Sequence, residues 1–122
     1  MINPELERHI DETLDRSVIA SLRKTASSDS AADMIDRFIE EAESQVQMLR
    51  DATDHRDRRA SNATAHSLKV SSIGVGARRL AALCARIQDH LAVNPDCVVT
   101  AGLLTEVEEE FDRVRDALSA ER

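Results

Sequence analysis

Leu104, Val107, Phe111, Val114 and Leu118 recur at spacings of three, four, three and four, and that rhythm limits what the chain can fold into. It is the period of an α-helix whose apolar seam lies lengthwise against other helices. Elsewhere Ile35, Phe38, Ile39, Ala42, Val46 and Leu49 form a second such stripe, and Leu80, Leu83, Cys84, Ile87 and Leu91 a third. With three glycines and two prolines the chain has few breakers, and β-branched residues never gather into alternating runs, so strands have no support. Two phenylalanines and no tyrosine or tryptophan leave aliphatic side chains and alanine to fill the interior, which suits closely packed helices. The fold class is all-α. Its 122 residues suffice for one modest core.

Along the chain, Asn3-Pro4-Glu5 has the composition of a helix start, but residues 1–13 read as an extension or linker remnant, with the domain occupying 14–122. A short helix over 15–24 buries Val18, Ile19 and Leu22. The polar stretch Thr25–Ser30 connects it to a helix over 31–52, with Ser30 as cap and Asp33 approximating a capping box. Asp54-His55-Arg56-Asp57 closes the next turn and starts a helix that bears His66 and persists to Ile73; helices over 77–92 and 100–120 follow, separated by Gly74 and Gly76 and then by Asn94-Pro95-Asp96. Four amphipathic helices with short connectors fold most economically as an antiparallel up-down-up-down four-helix bundle, here with an additional short N-terminal helix.

A net charge of −7 disfavours nucleic acid as a partner, because affinity for phosphate backbones comes from clustered Lys and Arg. The charge is uneven. Between Asp54 and His90, seven basic residues (Arg56, Arg58, Arg59, Lys69, Arg78, Arg79, Arg86) face three acidic ones (Asp54, Asp57, Asp89), a local net of +4. No apolar run approaches the roughly 20 residues that cross a bilayer, and the start lacks a signal-peptide layout, so no membrane association and a cytoplasmic location are expected. Cys84 and Cys97 lack CxxC spacing, and Cys84 sits in an apolar stripe as a small buried residue. His9, His55, His66 and His90 never stand four apart from one another or from a cysteine, so no metal site is expected. No nucleotide-binding loop, paired magnesium-binding aspartates or oxyanion-hole signature marks an autonomous enzyme.

The stretch Thr64-Ala65-His66-Ser67-Leu68-Lys69-Val70-Ser71-Ser72 divides by helical spacing into two faces. Ser61, Ala65, Leu68 and Ser72 make a stripe of small and apolar residues suited to a core. Opposite them stand Asn62, His66, Lys69, Val70 and Ile73. A solvent-facing imidazole on a rigid helix is a neutral nucleophile over much of the physiological pH range and can take a phosphoryl group. Lys69, one turn on, sets an ammonium beside the charge so added. Val70 and Ile73 form an exposed aliphatic patch beside the histidine, suited to docking a partner. Ser71 and Ser72 are structural, able to bond to carbonyls one turn back.

These residues resemble the signature of the histidine-containing phosphotransfer domains of bacterial multistep phosphorelays and hybrid sensor kinases. In that family an Ala-His-x-Leu-Lys-Gly-Ser-Ser run precedes a Gly-Ala and a further helix; here Ala65–Ser72 is followed by Gly76-Ala77. The likeness extends upstream through Phe38-Ile39-Glu40-Glu41-Ala42 and downstream through Leu80-Ala81-Ala82-Leu83-Cys84. One position departs, the family's glycine being Val70. The resemblance implies that His66 is the phospho-acceptor and that the partner is a receiver domain of a response regulator or hybrid kinase. That partner brings the aspartate and magnesium, so no cofactor belongs to this chain, which acts as a monomeric phosphocarrier. A basic face would steer the acidic receiver toward the histidine. Two other readings stay open: a degenerate phosphotransfer fold that only binds through the Val70 and Ile73 face, and an unrelated helical adaptor.

Overall fold

The structure, a computed structural model, describes residues 13–25, 28–93 and 97–122. Helices α1 (Arg16–Thr25), α2 (Ser28–Asp54), α3 (Arg58–Gly74), α4 (Arg78–Val93) and α5 (Cys97–Ser119) are its only regular elements among those residues. The readings of Asn3-Pro4-Glu5 and of Asn94-Pro95-Asp96 lie outside the described residues.

Helix α2 packs on α3, α3 on α4, α4 on α5, and α5 back on α2, closing a four-membered ring around one core. The core is aliphatic. Leu49, Leu68, Leu80, Ile87, Leu104, Val107, Val114 and Leu118 are fully or almost fully buried, with Phe38 and Phe111 beside them. The 3.5-residue seam of α5 is thus what closes the bundle.

At one end, α1 closes the ring. Asp15 starts it by accepting from the backbone N–H of Ser17 (2.9 Å), as an N-cap carboxylate does. The Asp15 backbone N–H donates to the Gly76 carbonyl at 2.7 Å, tying α1 to the turn between α3 and α4. From the other side Glu121 receives the guanidinium groups of Arg16 and Arg23, and Arg122 pairs with Asp36 of α2. These contacts join α1 to the α3–α4 turn and to the end of the chain, which Arg122 in turn ties to α2.

Three expectations are corrected. Helix α2 begins at Ser28, so Ser30 lies inside its first turn and is not the cap. Leu83 is half-buried against the core rather than within it, because Leu80, Ala81, Cys84 and Ile87 already fill the inner face of α4. Of the three residues expected to be buried by α1 only Ile19 is: Val18 is half-buried, its Cβ lying over Gly76, and Leu22 is half-buried against the core. Glu110 of α5, by contrast, is fully buried: it stands three residues after Val107 and four before Val114, on the apolar seam itself. Arg113 Nε donates to its Oε1 at 2.8 Å.

Candidate functional site

Helix α3 is built to show one face and hide the other. Asp57 caps its start, accepting from the Ala60 N–H at 3.0 Å, after a turn in which Arg56 takes φ +56°. Its end is a Schellman closure: the Ala77 N–H reaches the Ser72 carbonyl (2.8 Å), the Gly76 N–H reaches Ile73 (3.1 Å), and Gly76 takes φ +78°. Of the two glycines expected to release the backbone here, Gly76 alone adopts the left-handed conformation.

Ser61, Thr64, Ala65, Leu68 and Ser72 are buried. Four of these are small, so α3 can lie close to both α2 and α4. The Ser72 hydroxyl donates to the Leu68 carbonyl at 2.6 Å, one turn back, while Ser71 is half-buried. Opposite, Asn62, His66, Val70 and Ile73 are exposed, Val70 at 55% and Ile73 at 58%. The expected division of faces is therefore present, with Thr64 added to the inner one.

His66 carries no hydrogen bond or ion pair to any described residue, so both ring nitrogens remain available. Lys69 lies about 4.5 Å further along the helix axis and is half-buried, with no acidic partner among the described residues. Its charge is felt at Cys84 on α4, where it opposes the burial that pushes the thiol up to about 12. The lysine thus flanks the histidine on the α4 side. Val70 and Ile73 continue the line about 6 and 10 Å beyond His66.

Asn62 is tied across to α4: its Oδ1 accepts from Gln88 Nε2 at 3.4 Å, while Gln88 Oε1 is buried without a partner among the described atoms. Gln88 is not among the residues that the sequence pattern singles out. Its signal is there, since it stands four residues after Cys84 and three before Leu91, a polar residue at an apolar-stripe spacing. Arg58 was likewise read only as charge, yet its Nε donates to the Leu91 carbonyl at 2.9 Å and binds the beginning of α3 to the end of α4.

Among the described residues no three His, Cys, Asp or Glu side chains converge as metal ligands, and no helix is long and apolar enough to cross a membrane.

The Hpt domain family matches residues 33–120. Among solved structures, the chain is similar to histidine-containing phosphotransfer protein B from Pseudomonas aeruginosa, at 30% identity and a TM-score of 0.83, over 91% of this chain and 95% of that one. A search of curated proteins finds no match.

Proposed function

Since this chain belongs to the histidine-containing phosphotransfer family, whose members serve phosphorelays as phosphocarrier modules, we propose that His66 is the residue that carries its phosphoryl group. The observation behind this reading is an exposed imidazole in the middle of a helix packed on both flanks, with no partner among the described residues, and an ammonium one turn away that has no acidic partner among them either.

The donor is the aspartyl phosphate of a receiver domain. A ring nitrogen of His66 attacks phosphorus as the acyl phosphate P–O bond breaks, so a P–N bond forms and the aspartate leaves as carboxylate; transfer to a second receiver runs the same step in reverse. Fixing the ring on a rigid helix supplies the alignment such a displacement needs. The receiver brings the aspartate and the magnesium ion, so this chain needs no cofactor of its own and performs no turnover alone. Lys69 offsets part of the charge gained by His66, an effect of about 1 kcal/mol or less at so accessible a site. Asn62, Val70 and Ile73 contact the receiver around the ring. The chain acts as a cytoplasmic monomer.

Mixing the protein with a receiver charged by acetyl phosphate tests this. Acid-labile, base-stable phosphate should appear on the wild type and not on His66→Gln, a variant that loses little packing. Transfer to His66→Gln at the wild-type rate would refute the assignment. The aliphatic pair Val70 and Ile73 also fits a phosphorylation-independent adaptor; such a protein would bind the receiver without ever acquiring phosphate.

A further inference from the structure

Two turns before His66, the start of α3 and the end of α4 enclose a groove of about 410 Å³ lined by Arg58, Arg59, Asn62, Leu91 and Ala92. Its two arginines differ in role. Arg58 is engaged by the Leu91 carbonyl and holds the helices together. Arg59, exposed at the groove's lip, has no hydrogen-bond or ion-pair partner among the described residues. Among the described residues no acidic group pairs with it, and Asp57, two residues before it, is turned to the Ala60 N–H as the α3 cap. Leu91 and Ala92 give the groove an apolar floor, and Asn62 joins it to the face that bears His66.

We propose that this groove is a second contact point for the receiver domain, taking a surface carboxylate of that partner on Arg59 and the apolar side chain beside it on Leu91 and Ala92. The inference rests on the phosphotransfer reading and adds a specificity-determining residue to it. Charge complementarity carries it. A guanidinium without a partner among the described residues, at the edge of an apolar floor, matches a carboxylate in both geometry and charge, and it lies in the Asp54–His90 stretch, whose net charge is +4 in an otherwise acidic chain. Arg59 precedes His66 by seven residues, about 10 Å along the helix, which exceeds the Debye length of about 8 Å at physiological salt. Its charge therefore acts on docking and selection of the partner, not on the phosphoryl group.

The test is the kinetics of transfer from acetyl-phosphate-charged receiver domains encoded in the same genome, using the one that transfers fastest to the wild type. Arg59→Glu should raise the half-saturating receiver concentration about tenfold and weaken its salt dependence, leaving the saturating rate unchanged. Ala92→Phe, which fills the groove without altering charge, should raise it as well. Arg86→Glu makes the same charge change at an exposed site on α4 outside the groove, and should shift it less than about twofold. All three positions are exposed, and melting curves of each variant check that it is folded. Equal effects of Arg59→Glu and Arg86→Glu, or no effect of either Arg59→Glu or Ala92→Phe, would overturn the groove while leaving His66 as carrier. Failure of the underlying reading is separate, since it would show as transfer to His66→Gln or as a wild type that never acquires phosphate.

Discussion

Gly76→Ala should destabilise the protein far more than Gly74→Ala, although the two positions are neighbours in one turn. At Gly76 the backbone sits at φ +78°, where a Cβ costs about 1–2 kcal/mol. The added methyl would also lie 3.0 Å from Val18 Cβ, 3.1 Å from the Asp15 carbonyl oxygen and 3.2 Å from Asp15 Cβ. Two of those contacts belong to the residue that caps α1 and donates to the Gly76 carbonyl, so relief requires α1 to move and weakens a hydrogen bond worth about 1 kcal/mol. Together these give about 2–3 kcal/mol. At about 2.1 cal/mol/K per residue, 122 residues have an unfolding entropy of about 0.26 kcal/mol/K, so Tm should fall by about 8–12 °C. Gly74, with nothing within 4 Å of its virtual Cβ, ends a helix, and alanine there should leave Tm unchanged or raise it slightly. Thermal unfolding followed by circular dichroism reads both, and amide exchange should show α1 loosened in Gly76→Ala before the rest. Equal melting temperatures for the two variants would refute the docking of α1 on the α3–α4 turn.

Leu68→Ala should cost about 2–5 kcal/mol, and the half-buried Leu83→Ala distinctly less, by urea unfolding; the reverse order would mean the bundle's inner faces are misassigned. Glu121 is held below its ordinary value of 4.5 by hydrogen bonding from Arg16, then from Arg23, against desolvation. A depressed carboxyl stabilises fully above its unfolded pKa and loses that contribution as pH falls through its folded one, so stability should decline from about pH 4.5 downward and Glu121→Gln should flatten the decline. Cys84, pushed up to about 12 by burial, should resist iodoacetamide at pH 8 in a Cys97→Ser background until the protein unfolds. Val70→Gly should cost about 0.5 kcal/mol of helix stability and weaken binding of the receiver that transfers best, measured by calorimetry; unchanged affinity would remove Val70 from the docking surface.

What could be read from the sequence was whatever repeats within a helix. The α5 seam, the two faces of α3 and the exposure of Val70 and Ile73 all follow from spacings of three and four, which a single chain segment displays by itself. Relations between helices were not legible in that way. Gln88 meets Asn62 across 26 positions of sequence, Arg58 reaches Leu91 across 33, and Arg16 finds Glu121 across 105. None of these leaves a local periodic trace beyond a polar residue on an apolar stripe. Ser30 and Asp33 imitate a capping box that places the start of α2 at residue 31, while the helix extends three residues further upstream, to Ser28.

The exposure of His66 is enforced from the opposite side of its own helix. His66 and Leu68 differ by two residues, about 200° around the axis, so any rotation of α3 that buried the imidazole would bring Leu68 into water. Exposing that fully buried side chain costs about 1.5–3 kcal/mol, and the small residues flanking it would leave gaps where α2 and α4 now approach. The Asp57 cap and the Gly76 closure fix the rotation at both ends. Because the ring has no partner among the described residues, a receiver docking as proposed would have no hydrogen bond to one of them to break before the nitrogen could attack. Selectivity must then come from what surrounds the ring. The aliphatic pair Val70 and Ile73 lies on one side of it along the helix, and the Arg59 groove, about two turns away, lies on the other. A receiver that satisfies only one of them can still reach His66, but it is held more weakly, so the two contacts together select the partner while the transfer step itself is left to His66.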